Sequence, residues 1–316
     1  MVTYMVKNII VVENLVKIYS NGVIANDHIN LRVRKGEIVG ILGPNGAGKT
    51  TLIKQLTGEL MPTEGKIYIM DIDVVKNPSA IKPFIGVCPQ EGNLISYLTV
   101  REHIYYFGRL KGLSRNDAQK EADKILDLLD LKQHQKKKIG ELSGGLRRRV
   151  FVGIALINEP PIVFLDEPTA GLDPIVRNDF WETIEKIKKE KPETTIIVTT
   201  HYLEELDKVS DRLVFINKGK IVLEGNTIEV RSLINYDIKI TFPKAFKEVI
   251  TKELLKEGIN FRLNESLNKI DLLLSKKDFP IAMKLIFEHT SDVIVSSPTL
   301  DEVFLGVIKG DQKDSK

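Results

Sequence analysis

The sequence predicts an α/β fold followed by a small α+β domain, and three observations predict it. Residues 37–42 form an apolar run that passes into a glycine-rich turn, Gly43 to Gly48, and then into a helical pattern; strand, glycine turn and helix in that order open a phosphate-cradling βα unit. Further apolar runs at 161–166 and 195–200 alternate with helical stretches, the pattern of a parallel sheet with helices packed on it. Beyond residue 235 the order changes to strand, helix, strand, strand, helix, strand, which suggests a ferredoxin-like split-βαβ unit. The expected domains are therefore residues 1–235 and 236–316.

Taken in order, residues 9–13 and 28–34 read as short strands around a polar loop that holds Tyr19. Residues 49–60 read as a helix that ends near Gly58 to Pro62. Strands are expected at 66–73 and 84–88, and helices at 100–112, 116–130 and 147–158. Residues 178–191 form an amphipathic helix with charges outward, and 212–217 and 220–224 a hairpin around Lys218-Gly219. In the second domain, strands are expected at 237–242, 260–264, 269–274 and 293–296, and helices at 244–258 and 279–289. Residues 310–316 read as a disordered tail.

Composition narrows the function. Apolar residues are 42% and charged residues 28% of the chain, which is ordinary for an ordered globular protein. A net charge of +3, from 46 basic and 43 acidic residues, is too balanced for a dedicated nucleic-acid binder. The single cysteine, Cys88, permits no intrachain disulfide, fits a reducing cytosol, and reads as a small buried hydrophobe. Met1 to Lys7 do not read as a signal peptide, and no apolar run reaches the ~18 residues of a membrane span. Any path across a membrane must then belong to another chain.

Gly43-Pro44-Asn45-Gly46-Ala47-Gly48-Lys49-Thr50 fits G-x-x-x-x-G-K-[ST]. The glycines let main-chain N–H groups converge on phosphate oxygens, and the helix beginning at Lys49 adds its positive end. Lys49 brings a full charge to the β- and γ-phosphates, Thr50 a hydroxyl to Mg²⁺, and Thr51 a hydrogen bond to the α-phosphate. The second apolar strand runs into Asp166-Glu167, delivering two carboxylates to the end of a parallel strand, where ligands bind. Asp166 would hold Mg²⁺ and Glu167 would polarise the attacking water.

Around these motifs stand Leu142-Ser143-Gly144-Gly145-Leu146 and Asp166-Glu167-Pro168-Thr169-Ala170-Gly171-Leu172-Asp173-Pro174. With them the chain resembles an ATP-binding cassette (ABC) protein over residues 8–230, with six family motifs in the family's order. The resemblance implies a RecA-like core, an antiparallel β subdomain and a helical subdomain, with ATP and Mg²⁺ as ligands. It implies that Tyr19 stacks on adenine, and that Gln90 senses the γ-phosphate and Mg²⁺ and links to a membrane partner. It implies that Ser143, Gly144 and Gly145 cap the γ-phosphate bound to an opposite subunit, that Asp173 crosses the dimer interface, and that His201 contacts the γ-phosphate. Leu146 stands where the family's signature usually has glutamine; the phosphate-facing atoms come from Ser143 and the glycine main chain, so activity is expected to survive.

Each residue also has a plainer reading. Tyr19 alone would be a packing residue, His201 a helix cap and Gln90 an ordinary loop residue. Arg147-Arg148-Arg149 and Lys136-Lys137-Lys138 read as solvated faces.

Proteins with these motifs fall into three functional classes. Tyr97 to Glu102, Phe107 to Gly112 and the near-terminal Ser297 to Leu305 resemble cassettes of the drug-resistance and lipid-export type. That resemblance implies a homodimer bound to a separate transmembrane permease, on the cytoplasmic face of the cell membrane, exporting drugs, lipids or polysaccharide-like cargo. A soluble cassette acting on ribosomes or DNA is the alternative. Against it stand the single phosphate loop and the absence of sustained heptads between Lys49 and Asp166. Intact Lys49, Asp166, Glu167 and His201 argue against a regulatory protein with degenerate sites.

Overall fold

Runs of aliphatic and β-branched residues set the first two strands, β1 (Asn8–Ile18) and β2 (Ile24–Arg34), side by side and antiparallel. Both are longer than their alternation suggests. The register of β1 shifts between Val12 and Leu15 and again up to Ile18, and Asn14 sits at φ 47. Such bulges break the two-residue period that reveals a strand in sequence. β4 (Glu64–Ile69) and β5 (Ile72–Asp73) complete the sheet in the order β2-β1-β4-β5. Met70 and Asp71, at φ 50 and 66, make the tight turn that splits the single strand expected at 66–73. The computed structural model describes residues 8–207, 209–232 and 238–296. Met1 to Lys7, the near-terminal segment Ser297 to Leu305 and the expected tail lie outside the described residues.

The second sheet has six strands: β3 (Ile38–Leu42), β6 (Ile85–Cys88), β7 (Ile162–Asp166), β8 (Thr195–Thr200), β9 (Arg212–Asn217) and β10 (Lys220–Gly225). Their order is β10-β9-β3-β8-β7-β6; all neighbours are parallel except the β9–β10 hairpin. β3, β7 and β8 are buried at every position, as central strands of a parallel sheet covered on both faces are, polar Asp166, Thr195, Thr199 and Thr200 included. One core joins the sheets, with Ile10, Leu31, Ile41, Leu52, Phe164 and Val214 all within it. The parallel register pairs Leu42 with Thr200 and Asp166 with Thr199, so the loops that leave β3, β7 and β8 emerge at one edge.

Helices follow: α1 (Lys49–Leu56), α2 (Val100–Leu110), α3 (Arg115–Leu128), α4 (Gly144–Leu156), α5 (Pro174–Glu190), α6 (Leu203–Leu206) and α7 (Thr227–Ser232). α4 and α5 start earlier than their apolar periodicity suggests, because side chains cap them: Ser143 accepts from Leu146 N (3.4 Å), and Asp173 from Ile175 N and Val176 N (both 3.1 Å). A Cβ placed on Gly86 of β6 would fall 1.9 Å from the Ala155 carbonyl of α4, so strand and helix meet main chain to main chain.

The chain divides between Thr227 and Ile228 into two units. The second unit contains β11 (Ile238–Pro243), α8 (Lys247–Lys256), β12 (Phe261–Glu265), β13 (Lys269–Leu274), α9 (Phe279–His289) and β14 (Ile294–Ser296). Its sheet is wholly antiparallel, in the order β12-β13-β11-β14, the arrangement of a split β-α-β unit. Ile240, Phe242, Ile270, Leu272 and Leu274 meet Ile250 and Leu254 of α8 and Ala282 and Ile286 of α9 in a core of its own.

Candidate functional site

The phosphate loop is shaped by close approaches. Gly48 sits at φ 108, and a Cβ there would lie 2.1 Å from the Ala25 carbonyl, so only glycine fits. α1 begins at the next residue with no side-chain cap, which leaves its first amides free for an anion. Lys49 is 4% exposed, its ammonium held by the carbonyls of Gly43 (2.7 Å) and Pro44 (3.2 Å) and by Glu167 Oε1 (3.2 Å).

From β7 come the two carboxylates. Asp166 Oδ1 accepts from Thr50 Oγ1 (3.3 Å) and from Thr199 Oγ1 (2.5 Å). Glu167 takes a left-handed φ of 44, and its amide donates to the carbonyl (3.1 Å) and hydroxyl (2.9 Å) of Thr199. Its other oxygen, Oε2, meets His201 Nδ1 at 2.7 Å. Lys49, Glu167 and His201 therefore form one connected chain at the sheet edge. His201 does not cap α6, whose N-cap is Tyr202.

A cleft of about 400 Å³ opens over this chain; Tyr19, Asn45 to Thr51, Gln90 and Glu167 line it. The Tyr19 hydroxyl lies 3.2 Å from Thr51 Oγ1, and the residue is 39% exposed, which leaves room for a planar ligand against its ring. A larger concavity of about 500 Å³, beside Glu13, Arg32 and Glu224, has neither a glycine loop nor a helix N-terminus and is not the candidate. The hydroxyl of Thr50 and the carboxylate of Asp166 are hard oxygen donors and fit Mg²⁺. Among the described residues no three or more His, Cys, Asp or Glu are placed to hold a metal ion together, and few protein oxygens suit an ion that keeps waters and phosphate oxygens as ligands.

Other sequence-predicted residues are not in this cleft. Gly144 lines a second cleft of about 370 Å³ with Asn93, Arg147, Arg148 and Ala170 to Leu172, while Ser143 and Asp173 act as helix caps. Within one chain the Ser-Gly-Gly turn and Asp173 therefore do not complete the phosphate site.

The structure corrects one expectation. Arg147-Arg148-Arg149 is not uniformly a solvated face: Arg147 is exposed, but Arg148 is half-buried and donates to five main-chain carbonyls. The cap at Ser143 sets the phase of α4 and turns Arg148 inward. Glu205 was also missed. It accepts from Thr169 Oγ1 (2.8 Å) and Thr200 Oγ1 (3.0 Å) and pairs with Arg177 (3.6 Å), which joins the loops after β7 and β8. Its only signal in the sequence is a glutamate four positions after His201.

The sequence profile of the ABC transporter family (ABC_tran) matches residues 26–170. The doxorubicin resistance ATP-binding protein DrrA of Mycobacterium tuberculosis is 33% identical over 314 residues, 94% of this chain and 93% of the relative. Among solved structures, cbiO1 from Clostridium perfringens, part of the ABC transporter complex cbiONQ, is similar with a TM-score of 0.66 at 30% identity, over 79% of this chain and 95% of that one. The cassette MJ0796, in a dimeric post-hydrolysis state bound to ADP and phosphate, is similar with a TM-score of 0.62 at 29% identity, over 69% of this chain and 98% of that one.

Proposed function

The chain belongs to the ABC transporter ATP-binding family, and from that membership we propose how its own residues hydrolyse ATP and on what the hydrolysis acts. It is an ATPase subunit that energises transport. Cassettes of this family form dimers and occur in complexes with other transporter subunits, as MJ0796 and cbiO1 do.

In the proposed mechanism two copies close face to face on two ATP molecules. The loop from Gly43 to Thr51 wraps the phosphates, Lys49 holds the β- and γ-phosphates, and Tyr19 stacks on adenine. Thr50, Gln90 and Asp166 would hold Mg²⁺, and the ion would supply charge neutralisation at the phosphates. Glu167 polarises the attacking water, and His201 fixes the orientation of Glu167 and contacts the γ-phosphate. Ser143, Gly144 and Gly145 present a capped helix start to the partner copy's phosphate, with Asp173 beside the interface. Their separation from their own phosphate loop supports this assignment.

The observation that carries the reading is the Lys49–Glu167–His201 chain beneath the cleft. Glu167→Gln tests it. The variant is expected to bind ATP and to accumulate as an ATP-locked dimer, with turnover reduced by roughly 10²–10⁴-fold. Near-normal phosphate release would remove Glu167 from this role.

Among the described residues no helix is long and apolar enough to cross a membrane. The cargo path is assigned to a separate permease, by similarity to cbiO1, which is part of a transporter complex, with this chain docked on its cytoplasmic face near Gln90. The similarity to a drug-resistance protein favours outward transport of drug-like or lipid-like molecules. The second unit is assigned the task of stabilising the homodimer.

A further inference from the structure

We infer that Arg148 is a positioning residue for ATP hydrolysis: its guanidinium holds the turn that carries Glu167 and ties it to the loop that carries Gln90. The inference rests on the assignment of Glu167 as the group that polarises water.

The geometry is that of a fork closed on a turn. Arg148 Nε donates to Pro168 O (2.6 Å), Nη2 to Asp166 O (2.9 Å) and Glu167 O (3.0 Å), and Nη1 to Pro89 O (2.8 Å) and Gln90 O (3.2 Å). Carbonyls of three consecutive residues converge on one cation because Glu167 occupies the left-handed region, at φ 44. Few residues with a Cβ stay there unless their surroundings hold them. Glu167 is held at both ends, its amide by Thr199 and its carbonyl by Arg148.

Without the guanidinium, the Pro168 carbonyl would lose its donor and the Glu167 carbonyl would keep only the Ala170 amide (3.2 Å), next to carboxylates that are 4% and 7% exposed, Asp166 and Glu167. The turn would relax, and the Glu167 carboxylate would move with it. Misplacing a reacting group by about 1 Å costs on the order of 10²-fold in rate. The same cation grips the main chain at Gln90, so the two loops that face the γ-phosphate share one anchor on α4. Lysine cannot replace it, because an ammonium offers three donors on a point charge and not a planar fork. The neighbours are placed differently: Arg147 is exposed, and Arg149 reaches only Leu129 O (3.4 Å) and Asp179 O (3.5 Å).

The test uses the full chain and separates nucleotide affinity from turnover. Arg148→Ala and Arg148→Lys are each expected to bind ATP within about threefold of the parent while kcat falls about 10²-fold; Lys136→Ala, at an exposed residue that lines neither cleft, is expected to leave both unchanged. In a Glu167→Gln background, Arg148→Lys is expected to change the residual rate by less than about twofold, because both residues act on one group. Should the alanine variant fail to fold, the lysine variant carries the test. A kcat for Arg148→Lys within about threefold of the parent overturns the inference. So does equal loss of affinity and kcat, or a full further loss in the Glu167→Gln background. If Glu167→Gln itself turns over normally, the site assignment fails instead, and the two failures are told apart.

Discussion

At β6, Cys88 lies buried two residues before Gln90, and burial pushes its thiol up to about 11, from an ordinary 9.0. The nearby Arg148 cation pulls the other way and is outweighed. Since the thiolate is the nucleophile, alkylation by iodoacetamide at pH 8 is expected to be at least about a hundredfold slower in the folded chain than in denaturant. Mass spectrometry of timed samples measures the ratio; a native rate close to the denatured one would contradict the burial. The sequence reading of Cys88 as a small buried hydrophobe needed only its apolar strand. Arg148 was illegible for the opposite reason: three identical letters in a row conceal which one faces inward. That choice depends on the helix phase, and the phase depends on the cap at Ser143. Nor does any residue type announce the left-handed φ of Glu167, which arises from Thr199 on one side and Arg148 on the other.

Helix α2 illustrates how an element inherits both stability and a pH limit. Thr99 and Glu102 form a reciprocal capping box, and Arg101 grips Asp123 of α3 through two bonds, 2.5 and 3.0 Å. That guanidinium holds the Asp123 carboxyl below its ordinary value. On the inner face His103 is buried, and its Nε2 accepts from Ile95 N at 3.1 Å, which leaves the proton of the neutral ring on Nδ1. Desolvation lowers its pKa from the usual 6.5. A second proton would have to enter at Nε2 and break the bond to Ile95. The unfolded chain binds that proton more readily, so stability is expected to fall as pH drops below about 6.5. Thermal melts from pH 7.5 to 5 should show this, and His103→Gln should flatten the decline; an unchanged slope would exclude His103. Their helical patterns made α2, α3 and α9 legible. The hairpins and bulges of β1, β2, β4 and β5 were less so, because their breaks come from tertiary register and not from local preference.

Over the whole molecule, two cores divide the work of stability: one joins the first two sheets, and the other lies between β11–β14 and helices α8 and α9. The change in the order of elements after residue 235 is the sequence's sign of a second unit, whereas the structure divides the chain earlier, between Thr227 and Ile228. A chain ending at residue 235 is expected to keep ATP binding and to weaken self-association by roughly 10²-fold, as the loss of one of two linked contacts would. Sedimentation with ATP and Glu167→Gln would show it; unchanged dimerisation would remove the second unit from that role. The meeting of β6 and α4 at Gly86 has a mechanical consequence. Close-packed interiors transmit strain, and where main chain meets main chain there is no side-chain rotamer to shift and take up a displacement. A push on α4, which starts at the Ser-Gly-Gly turn, would therefore reach the strand leading to Gln90 undamped, much as a rigid rod carries motion from one end to the other.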